Sequence, residues 1–221
     1  MNAGVFFDVD GTLVDTNYFH AVAWLRACRE FGVQTSAARL HRLVGMGGDQ
    51  FVQALVGHEM PELDEAHDRH MQTFEGEARP FPGAGDLILE LHRQDVHVAI
   101  STSGGADAAE GALRRIVPDI SVIQTIATRD DIRATKPAPD LVAVALRRSG
   151  LPPDRVLYVG DTNWDVEAAA RCDMATIGVL TGGWTEQELR DAGAVAVYAS
   201  VGALLNELAD SPVGALVRAG A

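Results

Sequence analysis

The sequence predicts an α/β protein: a parallel sheet flanked by helices, with a small helical segment inserted after the first strand. Three observations carry this expectation. Residues 5–7, Val-Phe-Phe, are a short apolar run of strand-forming residues that ends in acid at Asp8-Val9-Asp10. Residues 15–80 show short amphipathic helical patterns and no strand signal. From Gly83 onward strands alternate with helices, the pattern of a parallel sheet covered on both faces. A length of 221 residues suits one large domain or a domain with an insertion.

Taken in order, the first strand stops at Gly11, which lets the backbone turn closely around whatever the two carboxylates hold. Carboxylates ending a buried strand are costly unless a cation or a proton neutralises them; the alternative is a plain polar turn. Ala21, Trp24, Cys28 and Phe31 recur at helical spacing, predicting a helix over 16–31 stopped by Gly32. Ser36 can cap a second helix through Leu40 and Leu43 to Gly45. Residues 45–48, Gly-Met-Gly-Gly, read as a flexible turn before a third helix at Phe51 and Leu55. Pro61 opens a fourth helix over 61–74, and residues 80–83, Pro-Phe-Pro-Gly, close the block like a hinge. The boundaries expected are a core of 1–14 and 81–221 and a helical domain of 15–80.

Beyond the hinge, Leu87, Ile88 and Leu91 mark a helix, 96–100 a strand, and Ala109, Leu113 and Ile116 another helix. A weak strand near 122–126 precedes Lys136-Pro137 and a helix over 141–148. Strands at 156–159, 175–179 and 195–198 alternate with helices at 165–171, 186–192 and 201–208. Residues 210–221 read as a loosely held tail.

Composition narrows the function. Hydrophobic residues make up 47% and charged residues 22%, as in ordinary globular proteins; no apolar run approaches a membrane span and residues 1–4 offer no signal peptide, so a cytoplasmic location is expected. A net charge of −13 makes nucleic acid or an anionic membrane a poor partner. Cys28 and Cys172 fall in predicted helices without metal or redox spacing and read as small buried hydrophobes. Of 18 basic residues all but Lys136 are arginine. A surviving lysine marks a place where a compact ammonium is needed, or is chance.

Ligands of parallel sheets sit beyond the carboxyl ends of the strands. Three strands deliver polar groups there: Asp8 and Asp10, then Ser101 and Thr102, then Asp161, with Asp165 four residues on. Oxygen-only ligands from Asp8, Asp161 and Asp165 suit Mg2+, while Ser101, Thr102 and helix-start N–H groups suit a phosphate, with Lys136 adding positive charge. Those three aspartates and a phosphate monoester sum to about −5 against about +3 from Mg2+ and Lys136. Backbone dipoles can meet the remainder only if Asp10 is protonated when substrate binds, the state a general acid requires.

Four segments in this order, F-D-V-D-G-T-L-V-D-T, I-S-T-S-G, K-P-A-P-D and G-D-T-N-W-D, resemble the motifs of the haloacid dehalogenase superfamily over nearly the whole chain. The helical block resembles the small cap of its phosphoglycolate phosphatase and β-phosphoglucomutase-like branch. The resemblance implies a Rossmann-like core, a mobile cap and Mg2+-dependent phosphoryl transfer from a small phosphate ester. By that resemblance Asp8 is the nucleophile forming an aspartyl-phosphate, and Asp10 protonates the leaving oxygen and then activates water. Ser101, Thr102 and Lys136 hold the phosphate beside Gly11 and Thr12. Asp8, the Asp10 carbonyl and Asp161 bind Mg2+, and Asp165 is a ligand through water or a support for Lys136.

Asp10 argues against dehalogenation, and the absence of lysine from 15–80 argues against phosphonatase chemistry and weakens a mutase, though Thr16 and His20 stand as in the mutase branch. A binding module that kept the fold without turnover is the reading from another class; an acid beside a nucleophile speaks for the enzyme. His20 either assists proton handling at the cap hinge or packs. His67 and His70, three apart, form a metal site or a solvated face. Met46 and Gly47 touch substrate or merely turn, and Trp164 lines the entrance or packs. The substrate and oligomeric state are not legible.

Overall fold

The computed structural model describes residues 2–74 and 76–219. Strand β1 (Gly4–Phe7) leads into four helices, α1 (Asn17–Glu30), α2 (Ala37–Leu43), α3 (Gly48–Val56) and α4 (Pro61–Gln72). Then follow α5 (Ala84–Arg93), β2 (His97–Ser101), α6 (Ala106–Ile116), β3 (Thr125–Ala127), α7 (Asp140–Ser149), β4 (Val156–Gly160) and α8 (Asn163–Ala170). The chain ends with β5 (Ala175–Val179), α9 (Glu186–Ala192), β6 (Ala196–Tyr198), α10 (Val201–Asn206) and α11 (Pro212–Arg218). The sheet is wholly parallel in the order β3-β2-β1-β4-β5-β6, a Rossmann-like α/β core.

Alternation along β1 builds two cores. Val5 and Phe7 face α5, α6, α10 and α11, whereas Phe6 faces α7 and α8. The helices α1 to α4 close around a third cluster of their own, in which Trp24 stacks on Phe51 at 4.0 Å. Burying an aromatic of that size is worth roughly 2–3 kcal/mol, which is how short helices hold together apart from the sheet. The two connections between helices and core run side by side: Asp15 N–H donates to the Arg79 carbonyl at 2.9 Å and Phe81 N–H to the Leu13 carbonyl at 2.9 Å. Core and helical block also meet where the Arg42 guanidinium lies 3.4 Å over the Trp184 ring and pairs with Glu188.

Several local expectations need correction. Residues 210–218 are no loose tail: Ser211 caps α11, Pro212 occupies its first turn, and Val213 is buried in the sheet's core. The weak strand starts later than predicted, at Thr125, because Ile120–Val122 forms a 3-10 turn capped by Asp119. Of residues 45–48 only Gly45 turns, with φ +100°; Gly48 already begins α3. Cys172 follows the end of α8 and is half-buried, unlike buried Cys28. No helix among the described residues is long and apolar enough to cross a membrane.

Candidate active site

Because β1 lies between β2 and β4, its carboxyl end is flanked by Ser101 on one side and Asp161 on the other. The turn after β1 folds tightly, with the Leu13 and Val14 N–H groups both donating to the Val9 carbonyl. Gly11 takes φ +76° there, and a Cβ on it would overlap Asn17 and the Asp161 carboxylate. Thr12 Oγ1 donates to Asp161 Oδ1 at 2.8 Å and Asn17 Nδ2 to Asp161 Oδ2 at 2.6 Å.

Lys136 is fully buried, and its ammonium bridges Asp8 Oδ1 at 2.5 Å and Asp165 Oδ1 at 2.7 Å. The other Asp165 oxygen accepts from the Thr162 N–H and hydroxyl in the capping box of α8. Asp165 thereby reaches Lys136 from a helix start while one of its oxygens also lies in the carboxylate cluster. Burial pushes the Asp8 carboxyl up to about 7 against the pull of Lys136, with Asp165 and Asp10 adding to the rise. Burial, then the charges of Asp165 and Asp8, push Asp161 well above the usual carboxylate range. Burial also opposes the Lys136 ammonium, but Asp165 and Asp8 outweigh it and hold its pKa well above the ordinary lysine value.

One buried ammonium against three buried carboxylates leaves negative charge unmet. Asp8, Asp161 and Asp165 bring oxygen atoms within 4.8 Å of one another, so an oxygen-only set fits a divalent cation at this point. The same strand edge carries Ser101, whose buried hydroxyl has no partner among the described residues. The Thr102 hydroxyl accepts from the Gly104 N–H, while the Ser103 hydroxyl is buried and unpartnered too.

Asp10 is half-buried on a cavity of about 580 Å3 between the core and α4. Burial alone would raise its carboxyl, but His20, at 3.2 Å, and the Thr16 hydroxyl, at 2.6 Å, hold it at about 2. The Asp10 charge in turn raises the pKa of His20 against burial. Gly47 lines the cavity, whereas Met46 packs into the helical core and Trp164 packs edge-on against Trp184 at 6.1 Å. Among the described residues His67 and His70 share no metal cluster: His67 groups with Asp64 and Asp68, whose ligand atoms lie within 4.8 Å of one another, while His70 points elsewhere. His67 is buried with both ring nitrogens engaged by His20 and Asp68, and His70 pairs with Glu30.

Sequence reasoning missed Asn17, Gly182, Thr181 and Tyr158. A Cβ on Gly182 would overlap Asp161, Thr181 Oγ1 donates to the Gly11 carbonyl, and Tyr158 OH donates to the Ser101 carbonyl beneath Lys136. None carries a local signal, since each acts by lying against a residue far away in sequence.

A family model described as haloacid dehalogenase-like hydrolase matches residues 5–179. The chain is 29% identical to the phosphoglycolate phosphatase of Mesorhizobium japonicum, over 93% of this chain and 94% of that one. The crystal structure of a hydrolase from Pseudomonas syringae superposes with a TM-score of 0.89 at 35% identity, covering 95% of this chain and 99% of the other. CbbY from Rhodobacter sphaeroides, in complex with phosphate, shares the fold with a TM-score of 0.75 at 24% identity over 92% and 96%.

Proposed function

The chain belongs to the haloacid dehalogenase-like hydrolases and acts on phosphate esters, and from that premise we propose that it is an Mg2+-dependent phosphatase of a small phosphorylated metabolite. One observation carries the reading. Asp8 is pinned through one carboxylate oxygen by buried Lys136, beside Asp161, with Asp10 two residues on facing the cavity.

In the proposed reaction the other Asp8 oxygen attacks phosphorus and the bond to the leaving oxygen breaks. Asp10, which the charge of the bound phosphate beside it brings to the protonated state, gives that oxygen its proton. Asp10 then takes a proton from water, which attacks the aspartyl-phosphate and frees inorganic phosphate and Asp8. Lys136 and the Ser101 and Ser103 hydroxyls bind the phosphoryl oxygens and keep them oriented. Asp8, Asp161 and the Asp10 carbonyl would hold Mg2+, which supplies charge neutralisation at the transferring group. Residues 15–80 act as a cap over the core of 1–14 and 81–221, closing about the paired connections at 13–15 and 79–81 to exclude water.

Release of inorganic phosphate from a panel of sugar phosphates, phosphoglycolate and nucleotides, with Mg2+, tests the reading. Isomerised phosphosugar in place of phosphate would show a mutase, and no turnover of any ester would leave a binding module. The metal has its own prediction. Chelation abolishes turnover, and Ca2+ restores it poorly because it relaxes the octahedral geometry. Mg2+ at a hundred times its Kd stabilises the fold by about 2.7 kcal/mol, raising Tm by roughly 5–10 °C. Full activity in excess chelator and an unmoved Tm would remove the metal from the mechanism.

A further inference from the structure

Asp10 is reached from the cap by a line of hydrogen bonds that the reaction scheme does not use. His20 Nε2 on α1 lies 3.2 Å from Asp10 Oδ1, and His20 Nδ1 lies 3.0 Å from His67 Nε2 on α4. His67 Nδ1 lies 3.1 Å from Asp68 Oδ1, and Asp68 Oδ2 accepts from Arg129 Nη2 at 3.2 Å. Arg129 Nη1 also lies 3.7 Å from Asp64 Oδ2. The line starts in the core, crosses two cap helices and returns to the core.

Donors and acceptors match in one arrangement along it. With both end carboxylates accepting, His67 has its hydrogen on Nδ1, which leaves Nε2 to accept from His20 Nδ1–H while His20 Nε2–H donates to Asp10. The plane of the His67 ring is fixed, so the ring cannot swing off this line. It is buried, and it lies flat against Trp24 at 4.1 Å, which in turn stacks on Phe51. Arg129 stands on the core turn Arg129–Asp131, so its contacts with Asp64 and Asp68 exist only while α4 rests on the core.

We propose that His67 and Arg129 are positioning residues for Asp10: Arg129 seats α4 through Asp64 and Asp68, and His67 holds the His20 ring against the Asp10 carboxylate. The general acid is thereby aimed at the leaving oxygen only when the cap is down. The inference rests on the phosphatase reading for the role of Asp10, and on the contacts alone for the latch.

The leaving group supplies a readout that a merely structural role would not move. An alkoxide needs a proton to depart, whereas p-nitrophenolate leaves without one, and kcat/KM reports only steps up to that departure. His67→Phe keeps the stack on Trp24 and loses both polar contacts; Arg129→Gln removes the ion pairs at a part-exposed site that folding tolerates. Each is expected to lower kcat/KM for glycerol 2-phosphate about tenfold or more and for p-nitrophenyl phosphate less than about threefold, with Arg129→Lys recovering part of the loss. Amide hydrogen exchange across residues 61–72 is expected to quicken in Arg129→Gln. Equal losses on both esters, or no loss on the alkyl ester, would overturn the positioning role, and unchanged exchange would overturn the latch. A parent inactive on both esters would instead sink the phosphatase reading, while the exchange result still decides the latch.

Discussion

Asp8→Asn is expected to abolish turnover and leave the fold intact. Hydrolysis of a phosphate monoester is so slow in water that an enzyme must supply on the order of 20 kcal/mol or more. The proposed scheme draws much of this from a covalent route that an amide, with no nucleophilic carboxylate oxygen, cannot start. The fold survives for a local reason. Asp8 stands among three buried carboxylates, and burial with its acidic neighbours already raises its pKa to about 7. Replacing it by a neutral isostere relieves repulsion, and Lys136 keeps its 2.7 Å partner Asp165. Tm without metal should therefore stay equal or rise, while phosphate release falls to background. A well-folded Asp8→Asn protein with Mg2+-dependent turnover would remove the covalent intermediate.

Lys136 is the second residue whose loss should be severe, and here stability and catalysis fall together. Its ammonium lies between Asp8 at 2.5 Å and Asp165 at 2.7 Å with no exposure to solvent. At an effective dielectric of about 20, a pair of unit charges at about 4 Å attracts by roughly 4 kcal/mol, before desolvation is subtracted. Lys136→Ala leaves two buried carboxylates without a cation and should destabilise the fold by about 3–5 kcal/mol. Lys136→Arg keeps the charge, yet a planar fork does not fit the volume between a carboxylate and a phosphoryl oxygen. We expect both to lower kcat by about 100-fold or more, with KM moving less. Denaturant unfolding with and without Mg2+, beside steady-state kinetics, separates the two effects. Parent-like kinetics in Lys136→Arg would mean that Lys136 does not touch the phosphate.

Much of this architecture was legible because it is written in local patterns. The β1 run, the Ser36 cap, the Pro61 helix start and the alternation after Gly83 each act within a few residues, and helix and strand order followed from them. Two of the misreadings had tertiary reasons. The last helix forms because Val213 finds room in the sheet's core, and His67 is buried because Trp24, 43 positions earlier, offers a flat face. A periodicity argument sees neither.

The sequence by itself determined which groups gather at the sheet edge. Parallel topology sends the ends of β1, β2 and β4 to one place, and Asp8, Ser101 and Asp161 stand at those ends. Tertiary structure alone decided what each group does there. Asp165 turns back to cap α8 and hold Lys136, Asn17 and Gly182 shape the seat of Asp161, and Asp10 meets His20. The reason is physical: hydrogen bonds and Coulomb energies depend on ångström distances between residues as many as 170 positions apart, which no local pattern encodes.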